Sequence, residues 1–182
     1  MSGRSISRFL SLVLRHDPGA AGLTLGDGGW VEVDALLDAL ARNGKPIDRV
    51  TLEQLVREND KQRFALSSDG LRIRASQGHS VGVELGYAAS PPPELLYHGT
   101  VEPFLASIRV GGLLRGARQH VHLSETPDVA VSVGRRRGPP VVIEVDAGTM
   151  AREGHEFFRS DNGVWLTSHV PARFLRCDVQ GR

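Results

Sequence analysis

The run Ala88-Ala89-Ser90-Pro91-Pro92-Pro93 constrains this chain more than any other stretch. Consecutive prolines lack amide hydrogens and hold φ fixed, so they continue neither a helix nor a central strand and act as a semi-rigid extended spacer. A chain of 182 residues interrupted there reads as two lobes, residues 1–87 and 95–182, joined by a linker at 88–94. With 40% hydrophobic residues, each lobe has the material for its own core.

In the first lobe, Ile6, Phe9, Leu10, Val13 and Leu14 recur at helical spacing, and Asp17-Pro18-Gly19 stops the segment. Arg15-His16 fall at its C-terminal end, where cations complement the orphan carbonyls. Trp30-Val31-Glu32-Val33 reads as a short strand, and Asp34 is placed to cap a second helix that buries Leu36, Leu37, Leu40 and Ala41 and closes at Asn43-Gly44. A third helix starts at Thr51 with Gln54 completing a capping box, and buries Leu52, Leu55 and Val56. A β-hairpin follows. Its alternation sets Phe64 and Leu66 against Arg63, and Leu71 and Ile73 against Arg72 and Arg74, around the turn Ser67-Ser68-Asp69-Gly70. Three helices and a hairpin make a winged-helix-like unit, an arrangement commonly used on nucleic acids. Gln77-Gly78-His79-Ser80 reads as an exposed polar turn or as an anion contact in which glycine gives a ligand close access to the backbone.

In the second lobe, Leu95 to Thr100 is an apolar strand ending in His98-Gly99-Thr100. A backbone can approach a ligand closely there, with an imidazole and a hydroxyl beside it. Phe104, Leu105 and Ile108 suggest a short helix ending near Gly111-Gly112. His120 to Ser124 alternates as a strand, and its two histidines could share a metal, but no third ligand stands nearby and a metal site is not expected. Thr126-Pro127 announces a helix over residues 128–133, with Gly134 ending it. Arg135-Arg136-Arg137 then sit between that helix and the apolar strand Val141 to Val145, either as a solvated cluster or with one guanidinium directed into a cleft. Phe157-Phe158, Asp161-Asn162-Gly163 and Val164-Trp165-Leu166 form a hairpin signal. The fold class expected is α+β.

A formal net charge of +1 means that any basic site is local. The single cysteine, Cys177, excludes an intrachain disulfide framework and suits a reducing, cytoplasmic setting. No signal pattern or membrane-spanning apolar run is visible, so a soluble protein is expected. No phosphate-binding Walker loop, dinucleotide fingerprint, nucleophile elbow or zinc-ligand quartet is present.

Taken in order, Leu14-Arg15-His16, Asp60 to Phe64, Ile73 to Ser80, Tyr97 to Thr100, His122-Leu123-Ser124 and Asn162 to Thr167 closely resemble the NAD-dependent RNA 2′-phosphotransferase family of the KptA type, known for tRNA splicing. The resemblance implies a winged-helix-like N-terminal lobe and an ADP-ribosyltransferase-like C-terminal lobe. It also implies a two-step reaction that transfers an internal RNA 2′-phosphate to NAD. NAD is consumed as co-substrate and no metal is needed, since a phosphate dianion is already a nucleophile. By motif, the family's catalytic Arg-His-Arg-Arg set falls on Arg15, His16, Arg63 and Arg136, the last because the family pattern places an arginine two positions after the glycine matching Gly134. The resemblance further gives His98, Gly99, Thr100, His122 and Ser124 as NAD contacts, and Arg74, Gln77 and His79 as contacts to substrate phosphate. The partners implied are RNA with an internal 2′-phosphate and NAD, the protein acting as a monomer away from membranes. The alternatives are an ADP-ribosyltransferase acting on nucleic-acid ends or protein, and a winged-helix regulator that senses NAD.

Overall fold

The structure is a computed structural model that describes residues 3–176; Cys177 lies outside the described residues. The chain divides after Gly86 into two compact units, each a mixture of helices and antiparallel sheet.

In the first unit, the apolar stripe of the N-terminal segment becomes the buried side of α1 (Gly3–Val13), with Ile6, Leu10, Val13 and Leu14 in the core. The Asp17 carboxylate accepts from the Ala20 amide at 3.0 Å and turns the chain through a short 3-10 helix beginning at Pro18. After β1 (Val31–Glu32) comes α2 (Val33–Arg42), then α3 (Arg49–Arg57), β2 (Phe64–Leu66) and β3 (Arg72–Ala75). The expected hairpin forms, Phe64 facing Ala75 and Leu66 facing Ile73, and β1 joins it antiparallel through Val31 and Ile73 in the order β1-β3-β2. One sheet face, carrying Phe64, Ile73 and Val31, packs against the helices.

Four local expectations change. Glu32, not Asp34, stands at the α2 cap position, and Asp34 lies in the first turn, where its charge still complements the helix dipole. Val33 and Ala39 complete the buried face of α2, whereas Ala41 is exposed. The third helix starts two residues early because the Asp48 carboxylate accepts from the Thr51 amide at 2.8 Å, capping it before the Thr51–Gln54 pair. Leu71 is 52% exposed because it precedes β3, outside the alternating register.

The second unit opens with β4 (Leu95–Val101) and α4 (Leu105–Gly111), followed by β5 (Leu113–Leu114), β6 (Val121–Leu123), α5 (Pro127–Gly134) and β7 (Pro140–Asp146). It continues through α6 (Ala147–Arg152), β8 (Phe158–Arg159), β9 (Trp165–Thr167), β10 (His169–Val170) and β11 (Leu175–Arg176). Its sheets run β11-β7-β4, β6-β9-β8 and β10-β5, all pairs antiparallel. Leu96, Ile143, Val145, Met150, Phe157 and Trp165 belong to one core. The proline run is held to this unit: Ala89 bridges Phe158, and the Ser90 amide donates to the Phe157 carbonyl at 2.8 Å.

The Thr126 hydroxyl caps α5, and the helix runs as expected. The second hairpin forms too, but residues 160–164 connect its strands, so Asn162-Gly163 is not a two-residue turn. The Ser160 hydroxyl, accepting from the Val164 amide at 3.0 Å and lying 2.8 Å from the Asn162 amide oxygen, organises the longer loop. β5, β10, β11 and α6 go beyond what the sequence announces. Two-residue strands carry no periodicity, and α6 is marked only by its cap, the Asp146 carboxylate accepting from the Thr149 amide at 3.1 Å. Among the described residues, no helix is long and apolar enough to cross a membrane.

Candidate functional site

In the first unit, the end of α1, the start of the β2–β3 hairpin and the segment after β3 bring the expected residues together. The Arg15 guanidinium donates to the Arg63 carbonyl at 3.2 Å and lies over the Phe64 ring at 5.9 Å. His16, exposed, places Nδ1 3.0 Å from the Ser80 hydroxyl, and the Ser80 amide donates to the Arg15 carbonyl at 2.9 Å. Gly78, at φ 88°, lies against Arg15, an added Cβ falling 3.5 Å from its guanidinium nitrogen, and its positive φ is what favours glycine there. Asn59 receives the Arg63 amide at 3.2 Å and its guanidinium at 3.4 Å. A neutral amide orients Arg63 there without cancelling its charge.

His79 and Arg74 occupy different surroundings. His79 is 1% exposed, and burial, with the charges of Arg15, His16 and Arg74 around it, holds its pKa down to about 4. It is a neutral imidazole buried beside Gly29 and behind the arginines, not a surface contact. Arg74 donates to the carbonyls of Gly28 and Leu85 at 3.3 and 3.2 Å and stacks over Trp30 at 4.6 Å, which ties two loops to the sheet. Gln77 is half-buried between β3 and Gly78.

In the second unit, His98 and Thr100 leave β4 on the face opposite Gly99. His98 Nδ1 lies 3.1 Å from the His122 carbonyl, so Nδ1 carries the hydrogen and Nε2 of the neutral ring is an acceptor. Burial lowers the His98 pKa, the bond to His122 opposes that, and Arg118 and Arg137 lower it further. Ser124 exchanges both backbone hydrogen bonds with Tyr97, at 2.9 and 2.8 Å. Because bonding direction alternates along a strand, the amide and carbonyl of Gly99, two residues on, also point away from β7, on the side where pairing toward β6 is confined to the single Tyr97–Ser124 bridge. Thr100 is 6% exposed.

The arginine triplet follows α5 with all three side chains exposed. Arg137 lies over Phe104 at 5.7 Å. Arg118, which no sequence motif picks out, completes this basic group. Crowding around its guanidinium, followed by Arg137 and then Arg136, lowers its pKa. Arg118 and Arg137 are arginines whose charge lowers the His98 pKa. The signal for Arg118 in the sequence is no more than a cation two residues ahead of the His120 to Ser124 strand. Among the described residues, no group of three or more histidine, cysteine or acidic side chains is arranged to hold a metal ion.

The model of the family described as RNA 2'-phosphotransferase, Tpt1 / KptA family, matches residues 2–169. The chain belongs to this family. A protein of Pseudomonas aeruginosa named "Probable RNA 2'-phosphotransferase" is 55% identical over 171 residues, covering 93% of this chain and 94% of the relative. Proteins of the same name from Streptomyces coelicolor and Burkholderia lata are 54% and 56% identical, covering 94% of this chain each and 93% and 89% of the relatives. Arg15 with its neighbour His16, Arg63 and Ser80 come from three separate stretches of the chain yet are gathered at one place in the first unit, beside a buried neutral histidine.

Proposed function

We propose that the chain removes an internal 2′-phosphate from RNA by transferring it to NAD. A phosphate oxygen attacks the ribose carbon bearing nicotinamide, and the carbon–nitrogen bond breaks to release nicotinamide. The adjacent ribose 2″-hydroxyl then attacks the phosphorus and the bond to the RNA 2′-oxygen breaks. The products are 2′-hydroxyl RNA and ADP-ribose 1″,2″-cyclic phosphate.

The observation that carries this reading is the pairing of Arg15 with Arg63 beside the His16–Ser80 contact. Guanidinium groups stay charged and grip phosphate oxygens in a fixed fork, as a reaction that moves a phosphate dianion without making a new strong nucleophile requires. His16, exposed and hydrogen-bonded, is the group suited to take the hydroxyl proton in the second step. In the second unit, the outward amide and carbonyl of Gly99 suit the nicotinamide carboxamide, which offers the complementary donor and acceptor. His98, Thr100, His122 and Ser124 line the ribose side, and Arg118 with Arg137 supplies positive charge for the pyrophosphate. The three helices and three-stranded sheet of the first unit support a winged-helix assignment, and the antiparallel sheets of the second support an ADP-ribosyltransferase-like one.

The test is mass analysis of products from an oligonucleotide with one internal 2′-phosphate, incubated with NAD and a chelator. Formation of nicotinamide, the cyclic phosphate and 2′-hydroxyl RNA is expected. No conversion with NAD in excess would overturn the proposal, and accumulation of ADP-ribosylated RNA would reassign the enzyme to a one-step ADP-ribosyltransferase.

A further inference from the structure

The sheet of the first unit buries one face and leaves the other open. By strand alternation the open face carries Glu32 from the first strand and Trp30 just before it, Arg72 and Arg74 from the central one, and Ala65 from the third, with Arg63 two residues before Ala65 on the same side. Arg72 and Arg74 both lie over the Trp30 ring, at 5.5 and 4.6 Å. Arg74 is anchored by two backbone carbonyls, so the aromatic ring is set rigidly on the sheet. Arg72 and Glu32 are exposed and Trp30 is half-buried. In a chain of net charge +1, a face with three arginines, two of them over one indole, is a local concentration of positive charge, and it begins at Arg63.

We infer that this face is a platform for the single-stranded RNA flanking the 2′-phosphate, with a base stacked on Trp30 and the sugar–phosphate backbone running along Arg72. The inference rests on the function proposed above. Charge complementarity and continuity with Arg63 identify the occupant: arginines attract phosphates of any sequence, and a rigid aromatic surface accepts any base. Duplex RNA is disfavoured, since its bases are not available to stack on an indole. Glu32, facing Arg72 across the strands, opposes the polyanion and limits affinity.

The experiment compares binding and turnover. Anisotropy of a labelled ten-nucleotide RNA with a central 2′-phosphate gives Kd, and a 2′-phosphorylated dinucleotide too short to cross the face gives turnover with NAD. Arg72→Gln should raise Kd about 5-fold and reduce the slope of log K against log salt by about 1. Trp30→Ala should raise Kd about 10-fold. Glu32→Gln, at a cap position where the carboxylate makes no capping bond, should lower Kd about 3-fold. All three should turn over the dinucleotide like the unaltered protein. A long-RNA Kd unchanged by both Arg72→Gln and Glu32→Gln overturns the platform, whatever becomes of Trp30→Ala, whose folding is checked by circular dichroism. If the unaltered protein fails to turn over either RNA while Arg72→Gln still weakens binding, the platform stands and the proposed reaction falls. Normal turnover with binding unchanged by the substitutions means that the reaction stands and the platform falls.

Discussion

Gly99 of β4 and Gly134 of α5 meet without side chains between them: a Cβ on Gly134 would lie 2.9 Å from the Thr100 carbonyl oxygen, and one on Gly99 would lie 3.0 Å from the Gly134 amide and collide with the Ala130 carbonyl. The helix therefore rests directly on the strand that carries His98 and Thr100. Gly99→Ala is expected to destabilise the protein by about 3 kcal/mol or more, because backbone rather than a flexible side chain must give way. Thermal unfolding measures this. A melting temperature within a degree of the parent's would show that α5 does not depend on the contact.

The second unit's basic group separates two arginines. If Arg118 serves the NAD pyrophosphate as proposed above, Arg118→Gln should lower turnover about 100-fold. Arg136→Gln should stay within about 3-fold, since its charge influences Arg118 less than that of Arg137 does. Steady-state rates with the 2′-phosphorylated dinucleotide decide the order, and a larger loss for Arg136→Gln would favour the motif-based choice of that residue over Arg118.

In the first unit, removing the Arg63 fork should reduce kcat about 100-fold with little loss of stability, because its carbonyl bond with Arg15 survives in Arg63→Ala. Single-turnover kinetics with saturating NAD is the measurement. A variant as active as the parent would remove Arg63 from the chemistry.

His79 makes stability depend on pH in a definite direction. Its folded pKa is about 4 against 6.5 for the free side chain, so the unfolded state binds the proton more readily. The contribution is full above pH 6.5, declines as pH falls and is gone below about 4, a change on the order of 3 kcal/mol. Urea titrations of the parent and of His79→Gln between pH 7.5 and 4.5 should show the parent losing more stability. Parallel curves would mean that His79 is protonated freely in the folded protein.

Asp48 offers a purely structural contrast. Asp48→Ala removes the carboxylate that accepts from the Thr51 amide and should lower stability while leaving turnover untouched. Chemical denaturation and a rate assay test both halves of that statement.

The elements legible in the sequence are those with a long or well-punctuated pattern. The stripe from Ile6 to Leu14, the hairpin around Ser67 to Gly70, the strand from Leu95 to Thr100 and the Thr126-Pro127 helix start all form. The two-residue strands at Leu113, His169 and Leu175 are not legible, since pairing with distant partners, not local pattern, makes them strands. Arg118 escapes for a related reason: an isolated arginine in a loop acquires meaning only from the charges that folding sets around it.

Local chemistry along the chain is enough to mark the proline-bounded halves, the α+β class and the short motifs that identify the family, because periodicity, caps and motif order are properties of neighbouring residues. Environment comes from three-dimensional packing. Whether a histidine is an exposed partner of Ser80 or a neutral group sealed behind arginines depends on segments far apart in sequence, and His16 and His79 are separated on that basis alone. Burial and charge are sums over those distant segments, which is why the same imidazole serves the surface in one place and the interior in the other.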